Sequence, residues 1–335
     1  PAFGAIMPPA MFDAARRWQR ACYDAGFAGN DWPAEHGGCG RSAGHAAVWH
    51  EECARSGVAA YMNFLGIVLA GAAIRKFGTD AQQARYLDAT LRADIVWCQL
   101  FSEPGSGSDL ASLTTRAEPD GDGWRVTGQK VWSSTAQLAQ HAILLARTDP
   151  STPNHRGISF FLFDMESPGV EVRPIKQMTG DSEFCEVFLD GAPVGADDLL
   201  GPLHGGWTVA TSVLADERAS VGAAGIALER RLSTVADPGV RAVGLAIASL
   251  LRRSGGDPLL GPLTKLANTE FDGRVTSLAV DAAGADGMLI GPNTEPFLYS
   301  PGMRVAGGTS EIQRNLIGER LLGLPREPKP PSAGG

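Results

Sequence analysis

The chain has 335 residues, 44% hydrophobic and 20% charged, with a formal net charge of −8. That length exceeds a typical single core and predicts two or three domains. The acidic balance offers no general basic surface and argues against nucleic acid or an anionic membrane as main partner, while leaving room for a local basic pocket for a phosphorylated ligand. The five cysteines (Cys22, Cys39, Cys53, Cys98, Cys185) are scattered, odd in number and without CxxC spacing, as expected in a reducing compartment with no structural zinc and no metal site.

The chain opens on Pro1 rather than methionine, so a preceding N-terminal piece is expected and targeting signals stay open. Residues 1–95 read mostly as helix: MFDAARRWQRACYDAG, GHAAVWHEECARSG and DAQQARYLDATLR carry helical spacing. Pro33 with Gly37, Gly38 and Gly40 makes residues 30–40 a loop between helices. His36, His45 and His50 share no ligand-like spacing with acids or cysteines and read as surface or core histidines. The run 57–74, GVAAYMNFLGIVLAGAAI, is long enough to raise a membrane span. Its Tyr61, Asn63 and many small residues predict instead a helix buried on all sides.

From Ile95 the period changes. Trp124, Val126 and Gly128 alternate with Arg125, Thr127 and Gln129, and HAILLAR, GISFFLFDM, VEVRPI and FCEVFLD follow as short β-rich runs between turn signals. Helical periodicity returns at Gly206 and lasts to about Leu322, interrupted near 237–239, 254–258 and 284–308; the tail PREPKPPSAGG is expected to be disordered. The expected class is α+β: an N-terminal helical domain (1–95), a middle antiparallel β domain (96–198) without βαβ alternation, and a C-terminal helical bundle (199–335).

Within 207–228, Ala210, Val213, Leu214, Val221, Ala224, Gly225 and Leu228 form one apolar stripe whose only ionisable side chain is Glu217. A carboxylate there is either paired, with Arg218 or another Arg, or poised as a proton acceptor whose pKa burial raises. FSEPGSGSDL (101–110) has glycines that let backbone amides approach an acceptor, and Ser102 and Ser108 add hydroxyls; as a bare Gly-rich turn it is also an ordinary loop. GQKVWSS (128–134) sets an indole and two hydroxyls at a strand end. RVAGGTSEIQRNLIGERLLG (304–323) puts a Gly-Gly-Thr turn ahead of a helix, whose N-terminal amides favour anions.

Those three stretches, in that order and in a helix-sheet-helix setting, resemble the acyl-CoA dehydrogenase family. The likeness covers nearly the whole chain, including WPAEHGG, HRGISFFLFDM and GGWTVATSVLADER. It implies FAD as cofactor, an acyl-CoA thioester as substrate and oxidation of a CH–CH bond to a trans-2-enoyl-CoA. In the family the segment matching Phe101, Ser102, Gly107 and Ser108 lies along the flavin and the thioester ligand. Trp132 and Ser134 match residues packed on the flavin, and Thr309 and Glu311 match the flavin-contacting turn and helix start. Leu214, Arg218 and the Gly307 N–H fall near the substrate, the last as a donor to the thioester carbonyl. The resemblance further implies an electron-transferring flavoprotein as acceptor, a dimer or tetramer of like or unlike subunits, and a bacterial cytoplasmic location.

The chain departs from the commonest family pattern at two places. Where most members carry the catalytic Glu, this chain has Ala306, Gly307, Gly308 and Thr309; a smaller branch places its Glu on the first helix of the last domain, and Glu217 matches that position. Glu217 is therefore the expected base and Glu311 its rival, while Glu103 is expected to brace its own loop. The room left by Gly307 favours branched, long or bulky acyl groups. An Arg-x-x-Phe-Gly element, lent in the family to the neighbour's FAD, is not found; ERRLSTVADPGVRAVG (229–244) follows instead, and the interval to the Gly-Gly-Thr turn is short. This leaves a half-site or non-catalytic subunit of a heteromer, or an oxidase on the same fold, as alternatives. DPGVR and HRGISFFLFDM look most like actinobacterial members acting on steroid side-chain or fatty acyl-CoA esters.

Overall fold

The structure, a computed structural model, describes residues 7–152, 154–219, 228–229, 232, 235–253 and 259–326. The chain divides into two compact units, 1–217 and 218–335.

The first unit begins with helices α1 (Phe12–Asp24), α2 (Ala43–Ser56), α3 (Gly71–Phe77) and α4 (Asp80–Leu91). A capping box starts α4: Thr79 Oγ1 accepts from the Gln82 N–H, and Gln82 Oε1 accepts from the Thr79 N–H. The same Gln82 donates through its amide to the carbonyls of Asp197 and Leu199, so the cap also fastens chain that follows the sheet. The apolar run 57–74 differs from the single helix expected. It winds only after Asn63, first as a π-helical turn, Leu65–Ala70, and then as α3. Asn63 is the reason. Its amide donates to the carbonyls of Thr90 and Ile95, and its oxygen accepts from the Trp97 N–H, so the buried side chain is committed to neighbouring chain. Among the described residues no helix is long and apolar enough to cross a membrane.

The sheet is built from β1 (Trp97–Leu100), β2 (Arg116–Asp120), β3 (Gly123–Ser134), β4 (His141–Arg147), β5 (Ile158–Asp164), β6 (Val170–Ile175) and β7 (Phe184–Val194). Its order is β1-β4-β2-β3-β7-β6, with β5 on β4. Most pairs are antiparallel as expected, but β1 runs parallel to β4, and Arg116 of β2 pairs Arg147 in parallel. The long excursion through 101–134 between β1 and β4 lets the chain return in its original direction.

Both faces of the central strands are buried, which is why they read as unbroken apolar runs. Ile143, Leu145, Ile158, Phe160 and Leu162 face a core shared with Trp32, Tyr86 and Leu87 of the helical part. Ala142, Leu144, Ala146, Phe161 and Phe163 face a second core with Val126, Val187 and Leu189. Helix α5 (Gly206–Ala219) enters the first of these through Val209, Ala210 and Val213, with Leu214 packed at its margin. Burial of side chains of this size is worth about 1.5–3 kcal/mol each, so the helices, the sheet and the start of α5 cohere as one unit.

The second unit contains α6 (Pro238–Arg253), α7 (Gly261–Ala283), α8 (Thr294–Val305) and α9 (Ser310–Leu316). Leu228, Leu232, Val240, Leu251, Phe271 and Val275 lie in its core. Gly244 lets α6 approach closely: a Cβ there would meet Leu232 at 2.5 Å and Phe271 at 2.7 Å. Helix α8 lies inside a stretch expected to be a break. Pro296 sits in its first turn, where a missing N–H costs nothing, and Pro301 is carried in its interior. Val221, Ala224 and Gly225 of the predicted stripe, most of 229–234 and residues 327–335 of the tail lie outside the described residues.

His141 is wedged between Tyr86, edge-on at 5.3 Å, and Trp97, tilted at 5.4 Å, and neither ring nitrogen has a partner among the described residues. Burial holds its pKa below the ordinary histidine value, against the pull of Asp164; Arg85, Asp198 and Glu166 are the other charges facing it. The unfolded chain therefore binds more protons than the fold once pH drops below about 6.5, and stability falls there. His141→Phe keeps a ring in the wedge and removes the titration. Urea midpoints at about pH 7.5 and about pH 5.5 should separate less for the variant than for the wild type; equal separations would refute this.

Candidate functional site

The loop after β1 is held by its own polar groups. Ser106 and Glu103 exchange backbone hydrogen bonds (2.9 and 3.0 Å), and Ser106 Oγ donates to the Asp109 carbonyl at 2.8 Å. The Glu103 side chain is buried and braces the loop, as expected. Its Oε2 accepts from the Thr114 N–H and hydroxyl, both at 2.7 Å, and its Oε1 accepts from the Thr115 N–H at 2.9 Å and Lys130 Nζ at 2.9 Å. Burial alone would raise the Glu103 pKa, but the Lys130 ammonium and these hydrogen bonds outweigh it and hold the carboxyl at about 2. Burial in turn pulls Lys130 down to about 8, with Glu103 opposing.

Lys130 also donates to the Phe101 carbonyl at 3.1 Å, and the next residue's N–H, that of Val131, donates to the Ser102 carbonyl at 2.9 Å. Two successive carbonyls of the loop are thus fastened to two successive residues of β3. Immediately beyond, β3 carries a bulge: Lys130 pairs with Val187 but Ser133 with Cys185. Trp132 falls in it with φ +61° and is 60% exposed, edge-on to Phe184 at 6.3 Å, while Lys130 and Ser133 point inward. A bulky residue in the left-handed region costs about 1–3 kcal/mol, and bulges re-aim side chains beside functional sites. The result is an exposed indole face beside a loop in which a Cβ at Gly105 or Gly107 would meet nothing within 4 Å. Ser102 and Ser134 are half-buried, Gly107 and Ser108 are exposed, and the buried Ser133 Oγ has no partner among the described residues. A flat ring with a polar edge suits that ledge.

Phe101 turns its ring inward onto Phe160 (5.8 Å) and shares the first core with Val209, Ala210, Val213 and, at its edge, Leu214. Glu217 lies four residues after Val213 and three after Leu214, on the same face of α5, and is half-buried rather than enclosed. The Arg218 side chain lies outside the described residues.

Gly307, Thr309 and Glu311 belong to the second unit. Gly307 (φ +66°) and Gly308 (φ +98°) form the turn before α9, and Thr309 caps the helix by accepting from the Ile312 N–H at 3.3 Å. The turn's carbonyls are held from inside. The buried Lys265 Nζ donates to Gly308 O (2.8 Å) and Arg304 O (3.1 Å), and the buried Gln313 donates to Gly307 O (3.0 Å) and Gly308 O (3.1 Å). In a trans peptide the following N–H points the other way, so the amides of Gly308 and Thr309 are presented away from Lys265 and Gln313. Glu311 is exposed, and its own backbone N–H and the Thr309 hydroxyl keep its carboxyl below the ordinary range.

Sequence reasoning missed Lys130, Lys265 and Gln313. Lys130 had a signal: extending the alternation of Trp124, Val126 and Gly128 by one step puts it on the inward face. Among the described residues no group of three or more His, Cys, Asp or Glu is arranged to hold a metal ion.

Three family models match the chain: the acyl-CoA dehydrogenase N-terminal domain at 9–94, middle domain at 98–192 and C-terminal domain at 238–322. Acyl-CoA dehydrogenase IpdE1 of Mycobacterium tuberculosis is 38% identical, covering 95% of this chain and 90% of that protein. Acyl-CoA dehydrogenase FadE34 of the same organism is 37% identical over 92% of this chain and 46% of its own length. Among solved structures, the Tcur3481-Tcur3483 steroid ACAD G363A variant superposes with a TM-score of 0.84 at 29% identity, covering 93% of this chain and 90% of that one. The ChsE4-ChsE5 complex of M. tuberculosis superposes with 0.80 at 28% identity, covering 95% and 93%.

A Cβ at Gly308 would meet Gln313 Nε2 at 2.6 Å in a backbone conformation that L residues avoid, whereas Gly107 has open space. Gly308→Ala should therefore cost about 1–3 kcal/mol of stability, and Gly107→Ala less than about 0.5 kcal/mol. Urea unfolding of the two variants checks this, and equal costs would contradict it.

Proposed function

The chain belongs to the acyl-CoA dehydrogenase family, and from that premise we propose that it is an FAD-dependent enzyme that oxidises an acyl-CoA thioester to the trans-2-enoyl-CoA, with Glu217 as its base. The observation that carries the reading is Trp132, its indole turned out of β3 at φ +61° beside the open 101–108 loop. The ledge fits a flavin: Trp132 and Ser134 would flank the ring, and Phe101, Ser102, Gly107 and Ser108 would line its polar edge. Thr309 and Glu311 are proposed as further flavin contacts on the strength of the family likeness. FAD, when bound, supplies the acceptor for the hydride that leaves the β carbon.

Glu217 takes the α proton onto its carboxylate. Its rivals are poor bases for physical reasons. Glu103 is saturated by donors and held at about 2, and Glu311 is exposed and kept below the usual carboxylate range. Glu217 instead follows the apolar face of Val213 and Leu214 and is half-buried at the margin of that core. Leu214 and Arg218 are assigned to the acyl-CoA, and Ser108 to both ligands. The Gly307 N–H is assigned to the thioester carbonyl oxygen, where negative charge develops as the α proton leaves. The acyl group is proposed to be branched, long or bulky, a steroid side chain included, since a similar structure is that of a steroid ACAD. An electron-transferring flavoprotein as acceptor, three domains (1–95, 96–198, 199–335) and a bacterial cytoplasmic location complete the proposal.

A second reading is favoured by the two-part names of similar proteins, Tcur3481-Tcur3483 and the ChsE4-ChsE5 complex: this chain as one subunit of a heteromer, holding FAD only with its partner. Purified alone, the chain is yellow on the first reading and colourless on the second.

Glu217→Gln keeps shape and removes basicity. FAD should stay bound with unchanged affinity while turnover with an artificial electron acceptor falls about 100-fold or more. Retained turnover moves the base elsewhere.

A further inference from the structure

The buried Glu103–Lys130 pair touches three separate stretches: the loop after β1, the chain at 114–115 entering β2, and β3 one residue before its bulge. It has no role in the proton transfer proposed above. As a stabilising device it is a poor choice, because burying two charges costs several kcal/mol per ion, about as much as their attraction returns; the fall of Lys130 to about 8 is the mark of that cost. An apolar pair of similar volume would fill the core as well. What apolar side chains could not do is bind the Phe101 carbonyl from β3. With that carbonyl drawn to Lys130 Nζ, the following N–H, that of Ser102, points the opposite way within the peptide plane. With the Ser102 carbonyl drawn to the Val131 N–H, the register between loop and strand is set at the residue next to Trp132.

We infer that the Glu103–Lys130 pair is a positioning strut: it fixes the 101–108 loop and the Trp132 bulge at one spacing, so that two walls of the cofactor site stand preformed before the cofactor arrives. The inference deepens the FAD reading and rests on it for the identity of the ligand, but not for the geometry. Glu103 and Lys130 are positioning residues. They act through Ser102 and Trp132 and are themselves buried.

The test compares wild type with Lys130→Met, by hydrogen exchange of the cofactor-free chain and by FAD titration. In the variant, amides of 101–108 and 131–134 should exchange about tenfold faster or more while those of 142–146 and 158–163 keep their protection, and the FAD dissociation constant should rise about tenfold or more. Unchanged exchange in the two walls, or faster exchange spread evenly through β4 and β5, overturns the strut, because the second pattern is a general loss of stability. Should Lys130→Met fail to fold through its uncompensated carboxylate, the neutral double variant Glu103→Gln/Lys130→Gln carries the same comparison. Failure of both to fold also overturns the inference, since a positioning pair must be separable from folding. If the wild-type chain alone binds no FAD, the reading in which it holds the cofactor without a partner fails, while the exchange pattern still decides the strut.

Discussion

Two opposite charges taken out of water hold the site's architecture together. The carboxylate of Glu103 gathers the start of β2 through Thr114 and Thr115, and the ammonium of Lys130 gathers the end of β1 through the Phe101 carbonyl. Neither charge is tolerable alone at this depth, so the contact forms completely or the region opens. Its consequence is felt two residues away. Lys130 and Ser133 both face inward, the strand has one residue too many between them for a regular ladder, and the surplus is expelled as an exposed Trp132 in a strained conformation. The strain of the indole is sustained because both flanking residues are anchored.

The second constraint is that the central strands are dry on both faces. One face of β4 and β5 packs on the helical part and the other on β3 and β7, so the sheet cannot shift toward either side without breaking a core. Helix α5 inherits this rigidity at its start, where Val209, Ala210 and Val213 are sunk in the shared core. One turn later the same face reaches Glu217, half-buried at the core's margin. A carboxylate set there meets an apolar wall on one side, and the proposal that it takes the α proton builds on that position.

Much of this was legible in the residues. Alternation around Val126, the unbroken run in HAILLAR and the indole at the end of GQKVWSS lead directly to the strands and the ledge, because side-chain period reports burial. The stripe in α5 isolated Glu217 for the same reason, although its exposure is greater than a buried stripe implies. Periodicity failed where a single side chain overrode it. Asn63 cuts the apolar run 57–74 by taking three partners from other stretches of chain, and no local pattern encodes those partners. Helix α8 was hidden by its prolines, of which one lies in the harmless first turn. The parallel pairing of β1 with β4 depends on the length of the excursion between them, and Lys265 grips the Gly308 carbonyl from a position that only the fold brings near.

We propose that this chain removes two hydrogens from an acyl-CoA by way of a flavin seated on the Trp132 ledge. Anaerobic titration of the FAD-loaded wild-type protein with a branched-chain or steroid side-chain acyl-CoA, followed by flavin absorbance, addresses it most directly. The visible flavin band should bleach in proportion to added thioester, and an enoyl-CoA should accumulate to match. An oxidised spectrum that persists at saturating ligand, with the acyl-CoA recovered unchanged, would contradict it.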